Sequence, residues 1–263
     1  MSEILLKVNN LKKYYKSGSI FSKKSIVKAL DGVSFELKRG ETLGIVGESG
    51  CGKSTLAKSI IRLTEPTDGE IILNGRDFRK LSGGQLKEAR KHIKMIFQDP
   101  YSSLNPRMTV RDIIGEPLDI AKICKSKDER NKLISDTMEM VGLDLSWANR
   151  YPHEFSGGQR QRLGIAKAII LRPDVIICDE PVSALDVSIQ AKIINLLLKL
   201  QKDLNISYIF ISHDLGVVKH IADRVIVMYG GRAVEEGDAK DIFEHPSHSY
   251  TKKLLSSIPH IQI

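Results

Sequence analysis

Gly47-Glu48-Ser49-Gly50-Cys51-Gly52-Lys53-Ser54-Thr55 follows a short apolar stretch, Thr42 to Val46, and precedes a helical stretch from Thr55 to Arg62. Strand, glycine-rich loop and helix in that order are the context that a phosphate loop requires. Such a loop turns backbone N–H groups inward on an anion while the next helix points its N-terminus at the same charge. That geometry needs a strand feeding directly into a helix, which commits the chain to an α/β core. Glycines at 47, 50 and 52 allow close backbone approach. Lys53 is expected to reach the β- and γ-phosphates of a nucleoside triphosphate, and Ser54 to ligate Mg²⁺. Thr55 is read as a support for the α-phosphate, with a plain helix start as the alternative. Cys51 occupies a position of the loop open to any residue and is read as inert.

Two carboxylates close a second buried strand. Val175 to Cys178 is apolar and runs into Asp179-Glu180. Asp179 is expected in the Mg²⁺ shell, and Glu180 could polarise the attacking water, its exact part as general base being left open. Gln98 ends a strand read at Lys94 to Gln98 and precedes a proline-bounded loop, Asp99 to Pro106. It can offer an oxygen to Mg²⁺ or to water. His213 follows the strand Ile206 to Ile211, where it could touch the γ-phosphate. Alone, a satisfied structural histidine is the better reading of it. Phe155-Ser156-Gly157-Gly158-Gln159 opens a helix to Leu171 and offers a hydroxyl and N–H groups to an anion. One phosphate group needs one cradle, so this second one serves a nucleotide held by another subunit.

The remaining pattern is α/β with an N-terminal β-rich part and a helical insertion. Ile4 to Val8, Val33 to Leu37 and Glu70 to Leu73 read as strands, the last closed by the tight turn Asn74-Gly75. Lys16 to Ser25 reads as a flexible hairpin or loop. Val110 to about Leu163 is helical and strand-poor. Ser188 to Lys202 and Leu215 to Ile221 read as helices, and Arg224 to Tyr229 as a strand. The residues after Tyr229 read as a short extension. No apolar run is long enough to span a bilayer, and the first ten residues do not read as a signal peptide. Cys51, Cys124 and Cys178 form no CxxC pair, which argues against a thiolate metal site and suits a reducing compartment. The net charge is +8. Early lysines (Lys12, Lys13, Lys16, Lys23, Lys24, Lys28) lack interleaved aromatics or a reading helix, so a solvated basic surface, or attraction to an anionic membrane, is favoured over nucleic acid.

Taken together these motifs resemble the nucleotide-binding subunits of ABC transporters, and in particular the peptide and nickel importer branch. Gly47 to Thr55 is similar to that family's Walker A motif, and Val175 to Glu180 to its Walker B with the catalytic glutamate. Gln98 matches the Q-loop, Phe155 to Gln159 the signature with Phe155 where leucine is commoner, Ser183-Ala184-Leu185-Asp186 the D-loop, and His213 the switch histidine. Phe97 to Arg107 resembles the long motif of peptide-importer ATPases. His245 to Thr251, with Leu254 to Pro259, resembles their C-terminal element.

The resemblance implies a P-loop NTPase core with an N-terminal antiparallel β part and an inserted helical subdomain at about 105–163. The nucleotide-binding domain would cover 1–237 and the extension 238–263. It implies ATP and Mg²⁺ as cofactors, Mg²⁺ being held by Ser54, Gln98 and Asp179, with Lys53, Gln98, Glu180 and His213 catalytic. Tyr14 or Tyr15 would stack on adenine, Tyr15 being preferred. Ser156, Gly157, Gly158 and Gln159 would contact the partner's nucleotide, and Asp186 would link the two sites. The implied partners are two membrane permease subunits, a homologous second ATPase or a second copy, and, indirectly, an external solute-binding protein. The implied place is the cytoplasmic face of the membrane. Peptide import leads. Nickel or metal-chelate import, a soluble ABC-type ATPase and a small-molecule phosphotransferase are the alternatives. A second string, Leu81-Ser82-Gly83-Gly84-Gln85, repeats the signature letters. It lies before Gln98 and is followed by Leu86-Lys87-Glu88 rather than by Arg160-Gln161-Arg162, so it is read as a coincidence.

Overall fold

The computed structural model describes residues 3–17, 25–99 and 104–256. Most of the loop expected between Lys16 and Ser25, residues 100–103 of the long motif, and the tail from 257 onward lie outside the described residues. The chain divides into two compact units, residues 1–86 with 209–263, and residues 87–208.

The first unit opens with a long antiparallel ribbon. Strands β1 (Ile4–Ser17) and β2 (Ser25–Lys38) pair from Ile4 opposite Lys38 to Ser17 opposite Ser25, with register shifts along the way. Both run well past the ends expected from sequence: beyond Val8 the side chains of β1 are largely polar and those of Ile26 and Val27 on β2 stand exposed, so main-chain pairing holds the ribbon. Bulges there break the period-two alternation that would mark a strand. On its other side β1 pairs with β4 (Asp68–Leu73). The Asn74-Gly75 turn, both residues at positive φ, then returns the chain into β5 (Arg76–Asp77). Leu5, Leu6, Val8, Leu11, Leu30, Val33, Leu37 and Ile71 are buried on this sheet.

In the same unit, β3 (Thr42–Val46) lies fully buried and parallel to β9 (Arg224–Tyr229). Helix α1 (Lys53–Ile60) follows the glycine loop and buries Leu56, Ala57 and Ile60. It begins two residues earlier than expected, because Gly52 is its N-cap. Helix α7 (Leu215–Ile221) is capped by Asp214. Gly44 on β3 admits it closely: a Cβ there would stand 2.6 Å from Val218. After Tyr229 the sequence suggested only an extension. The chain instead makes a Gly230-Gly231 turn, strand β10 (Arg232–Asp238) antiparallel to β9, and helices α8 (Ala239–Glu244) and α9 (Ser249–Ser256). Strand β10 leaves no apolar period in the sequence because it is charged and mostly exposed.

The second unit contains β6 (Ile93–Ile96) parallel to β7 (Val175–Asp179). Its helices are α3 (Val110–Ala121), α4 (Lys127–Met140), α5 (Gly157–Ile169) and α6 (Val187–Leu204). Thr109 and Ser126 cap α3 and α4 through their hydroxyls. A short helix, α2 (Gly83–Ala89), where none was expected, spans the boundary between the units, as does strand β8 (Ser207–Ile211). Among the described residues no helix is long and apolar enough to cross a membrane.

Asp31 ties β1, β2 and β10 together within the first unit. It accepts from the Tyr14 phenol and the Arg232 guanidinium, and Lys28 stands 3.6 Å away. The Tyr14 hydrogen bond, then Arg232 and Lys28, hold its carboxyl down at about 2. The unfolded carboxyl titrates near 4, so this contribution to stability is whole above about pH 4 and is lost as pH falls toward 2. Asp31→Asn is therefore expected to flatten the decline of the urea midpoint between pH 5 and 3. An unchanged slope would remove Asp31 from the acid response.

Candidate nucleotide site

The glycine loop is gripped by main chain from three directions. A Cβ at Gly47 would stand 2.3 Å from the Met228 carbonyl oxygen, and one at Gly52 2.4 Å from that of Ala29. Both glycines are at positive φ, so neither space nor backbone admits a side chain there. Gly50 is different: nothing stands within 4 Å of its would-be Cβ, and only its φ of 81° favours glycine. The Gly231 N–H donates to the Cys51 carbonyl at 3.0 Å. The Glu48 N–H donates to the Tyr250 hydroxyl at 3.0 Å. Lys53 is buried and bends back over the loop, donating from Nζ to the carbonyls of Gly47 at 2.7 Å and Glu48 at 2.9 Å. Gly52 caps α1 without a side-chain hydrogen bond. Backbone N–H groups at the helix start, a held ammonium and the hydroxyls of Ser54 and Thr55 form a donor set suited to phosphate.

His213 lies exposed just beyond β8. The Ser212 N–H donates to the Ile45 carbonyl, which ties the end of this strand to the end of β3, where the loop begins. The two aromatics near the N-terminus part company. Tyr14 is engaged with Asp31. Tyr15 is exposed, with the Lys13 ammonium 4.9 Å from its ring centroid. That difference favours Tyr15 as the aromatic with a face to offer.

In the second unit, Asp179 is the buried last residue of β7. Glu180 follows it at φ 48°, a left-handed conformation that costs a non-glycine residue about 1–2 kcal/mol. The turn is held by the Ser183 hydroxyl and N–H, both donating to the Glu180 carbonyl. The Gln98 amide donates to the Glu180 carboxylate at 2.9 Å. Strand β6 ends at Ile96, so Gln98 lies beyond it rather than within it. The same left-handed backbone occurs at Asn10, Arg62, Asn74, Lys122, Arg172 and Asn205, so what sets Glu180 apart is the Gln98 amide on its carboxylate. Next to Asp179, Cys178 is fully buried, and burial pushes its thiol far up, so it stays a neutral filler of the strand.

The signature residues also sit in the second unit. Ser156 caps α5, its hydroxyl accepting from the Gln159 N–H at 3.4 Å, while the Gln159 amide oxygen accepts from the Ser156 N–H at 2.9 Å. This reciprocal capping box fixes the helix start, so Gln159 acts here as a cap. Phe155 is buried edge-on to Trp147 and supplies the expected apolar anchor. The two glycines have a packing reason: a Cβ at Gly157 would stand 3.2 Å from Leu185, and one at Gly158 2.5 Å from Ile189. Asp186 caps α6 by accepting from the Ile189 N–H at 3.0 Å. In the duplicate string at 81–85, Gly83 and Gly84 have nothing within 4 Å of their would-be Cβ atoms, and α2 buries no residue. The letters agree and the surroundings do not.

Magnesium asks for fewer protein ligands than a protein-only metal cage. Among the described residues no group of three or more His, Cys, Asp or Glu side chains comes together to hold a metal. Mg²⁺ typically rests on one or two protein oxygens and takes the rest from phosphate and water. Ser54 in the first unit, and Gln98 and Asp179 in the second, each carry a hard oxygen of that kind. The contacts of the glycine loop with Ala29, Met228 and Gly231 are silent in the sequence, since main-chain partners leave no trace in residue type. The Tyr250 contact is silent because the tyrosine lies some two hundred residues away.

The family description "ABC transporter" matches residues 30–183, and "Oligopeptide/dipeptide transporter, C-terminal region" matches residues 234–263. Over 260 residues the chain is 54% identical to the oligopeptide transport ATP-binding protein OppF of Bacillus subtilis, covering 98% of this chain and 84% of that protein. It is 52% identical over 259 residues to the dipeptide transport ATP-binding protein DppF of Haemophilus influenzae, covering 98% and 79%. Among solved structures it is similar to the dimeric post-hydrolysis state of the ATP-binding cassette MJ0796 bound to ADP and Pi. That likeness has a TM-score of 0.79 at 32% identity, over 89% of this chain and 99% of that one.

The contrast between the two signature-like strings can be measured. Gly158→Ala drives a methyl into Ile189 and is expected to destabilise the chain by about 1–3 kcal/mol. Gly84→Ala, on an open helix, is expected to be neutral or to stabilise by up to about 1 kcal/mol. Urea denaturation of both variants checks this, and equal losses would contradict the packing reading.

Proposed function

Because the chain belongs to the ABC transporter ATP-binding family, we propose that it is the ATP-hydrolysing motor of an importer whose cargo is peptides. The observation that carries hydrolysis is the strained Glu180, oriented by Gln98 directly after the buried Asp179. Support for peptides comes from the match at residues 234–263 and from relatives named for oligopeptide and dipeptide transport.

In this reading the loop from Gly47 to Thr55 holds the phosphates, with Lys53 supplying charge that grows in value as negative charge develops on the transferred group. Tyr15 offers its exposed ring to the adenine. Mg²⁺, held by Ser54, Gln98 and Asp179, would neutralise phosphate charge. Glu180 aligns and polarises water, and His213 stands toward the γ-phosphate. Ser156 and the N–H groups of Gly157 and Gly158 serve the nucleotide bound by the neighbouring ATPase, and Asp186 connects the two sites. The domain reading, a nucleotide-binding domain over 1–237 with a helical part near 105–163 and an extension over 238–263, belongs to the same proposal. The working assembly is two permease subunits, this chain and a homologous ATPase at the cytoplasmic face, fed by an external solute-binding protein.

The test is ATP hydrolysis by the chain co-expressed with its membrane partners in lipid vesicles. A peptide-loaded binding protein is expected to stimulate hydrolysis, and Glu180→Gln to lower the stimulated rate by about a hundredfold or more. Stimulation by a nickel-loaded binding protein alone would reassign the cargo. Hydrolysis independent of membranes, with no association to permease, would replace the importer by a soluble ATPase.

A further inference from the structure

We propose that Tyr250 is a positioning residue of the phosphate loop, so that the C-terminal element sets nucleotide affinity. This rests on the nucleotide reading above and gives that element a defined task at the nucleotide site. The observation is the hydrogen bond from the Glu48 N–H to the Tyr250 hydroxyl, 3.0 Å long, between the first turn of the loop and a helix some two hundred residues away.

The tyrosine is held from several sides. Tyr250 is 8% exposed, and its ring lies 4.3 Å from that of Tyr229, the last residue of β9. Burial pushes its phenol above the ordinary value and outweighs the Glu48 N–H, which lowers it, so the hydroxyl stays neutral at physiological pH. The segment leading to α9 is pinned to β10: the Glu235 carboxylate accepts from the N–H groups of Ser247, at 2.6 Å, and His248, at 3.1 Å. The Tyr250 N–H in turn donates to His248 Nδ1 at 3.1 Å. A strand, a turn and two rings therefore place one oxygen opposite one loop amide.

Glu48 sits where such a tie has leverage. Gly47 before it is packed against the Met228 carbonyl, and Lys53 donates to the Glu48 carbonyl. The Gly47–Glu48 peptide is held at its carbonyl by Lys53 and at its N–H by Tyr250. Without that hydroxyl the amide must turn to water, and the loop has to be ordered at the moment of binding rather than beforehand. The loop meets phosphate in the ground state and the transition state alike. The loss should therefore fall on KM for ATP and spare kcat.

The experiment uses the full chain with Tyr250→Phe, which keeps the ring stack and deletes only the oxygen. Tyr229→Phe, which leaves the Glu48 contact in place, is the control. Mg-ADP affinity is read by calorimetry, and exchange of the Glu48 amide by hydrogen–deuterium exchange. Tyr250→Phe is expected to weaken ADP binding about three- to tenfold and to speed Glu48 exchange, with KM raised and kcat kept. Tyr229→Phe is expected to do neither. Equal ADP affinity and equal Glu48 exchange in Tyr250→Phe and the parent chain would overturn this inference while leaving the proposed function intact. A parent chain that binds no ADP would overturn both.

Discussion

Two main-chain carbonyls, those of Met228 and Ala29, lie so close to the glycine loop that Gly47 and Gly52 can carry no side chain. Much of the first unit serves that approach. Strand β3 delivers the chain to the loop, β9 beside it brings Met228, β2 brings Ala29, and the turn into β10 brings the Gly231 N–H to Cys51. A loop closed on all these sides by backbone has little freedom left to lose when it meets an anion. Preorganisation of this kind converts a modest donor set into a tight phosphate site.

The second unit is organised differently. Its phosphate-loop counterpart is a helix start already satisfied by its own capping box, Ser156 with Gln159. Its glycines make room for Leu185 and Ile189, so the signature and the start of α6 form one rigid piece with Asp186 as its cap. Glu180 holds a conformation that a glycine would adopt at less cost, and Gln98 with the Ser183 turn keeps it there. Strain of about 1–2 kcal/mol is tolerable at the end of a strand as deeply buried as β7. It has a use if the carboxylate must point at water rather than back into the sheet.

Much of this was legible in the sequence wherever backbone geometry forces residue type. The glycines of the loop, the Asn74-Gly75 turn, the apolar strands β3 and β7 and the carboxylates after β7 all announce themselves. The illegible parts are held by partners that residue type does not encode. The ribbon of β1 and β2 runs far beyond its apolar segment because hydrogen bonds sustain it. Strand β10 is charged and mostly exposed, and helices α8 and α9 are short, so none of them shows a clear period. The two near-identical strings at 81–85 and 155–159 could be ranked by their position and by the residues that come after each. The physical difference between them, Leu185 and Ile189 against open space, is visible only in the fold. Tyr14 and Tyr15 are a neighbouring pair that sequence alone could not separate; in the fold Tyr14 is engaged with Asp31 and Tyr15 is exposed.

On this account the chain holds half of a nucleotide machine: a preorganised phosphate loop, and a signature that is complete only on another subunit's nucleotide. The most direct measurement is the sedimentation mass of the Glu180→Gln chain mixed with its homologous ATPase, in Mg-ATP and in Mg-ADP. The account predicts a complex the size of the pair in ATP that separates in ADP. A mass that is the same in both nucleotides would contradict it.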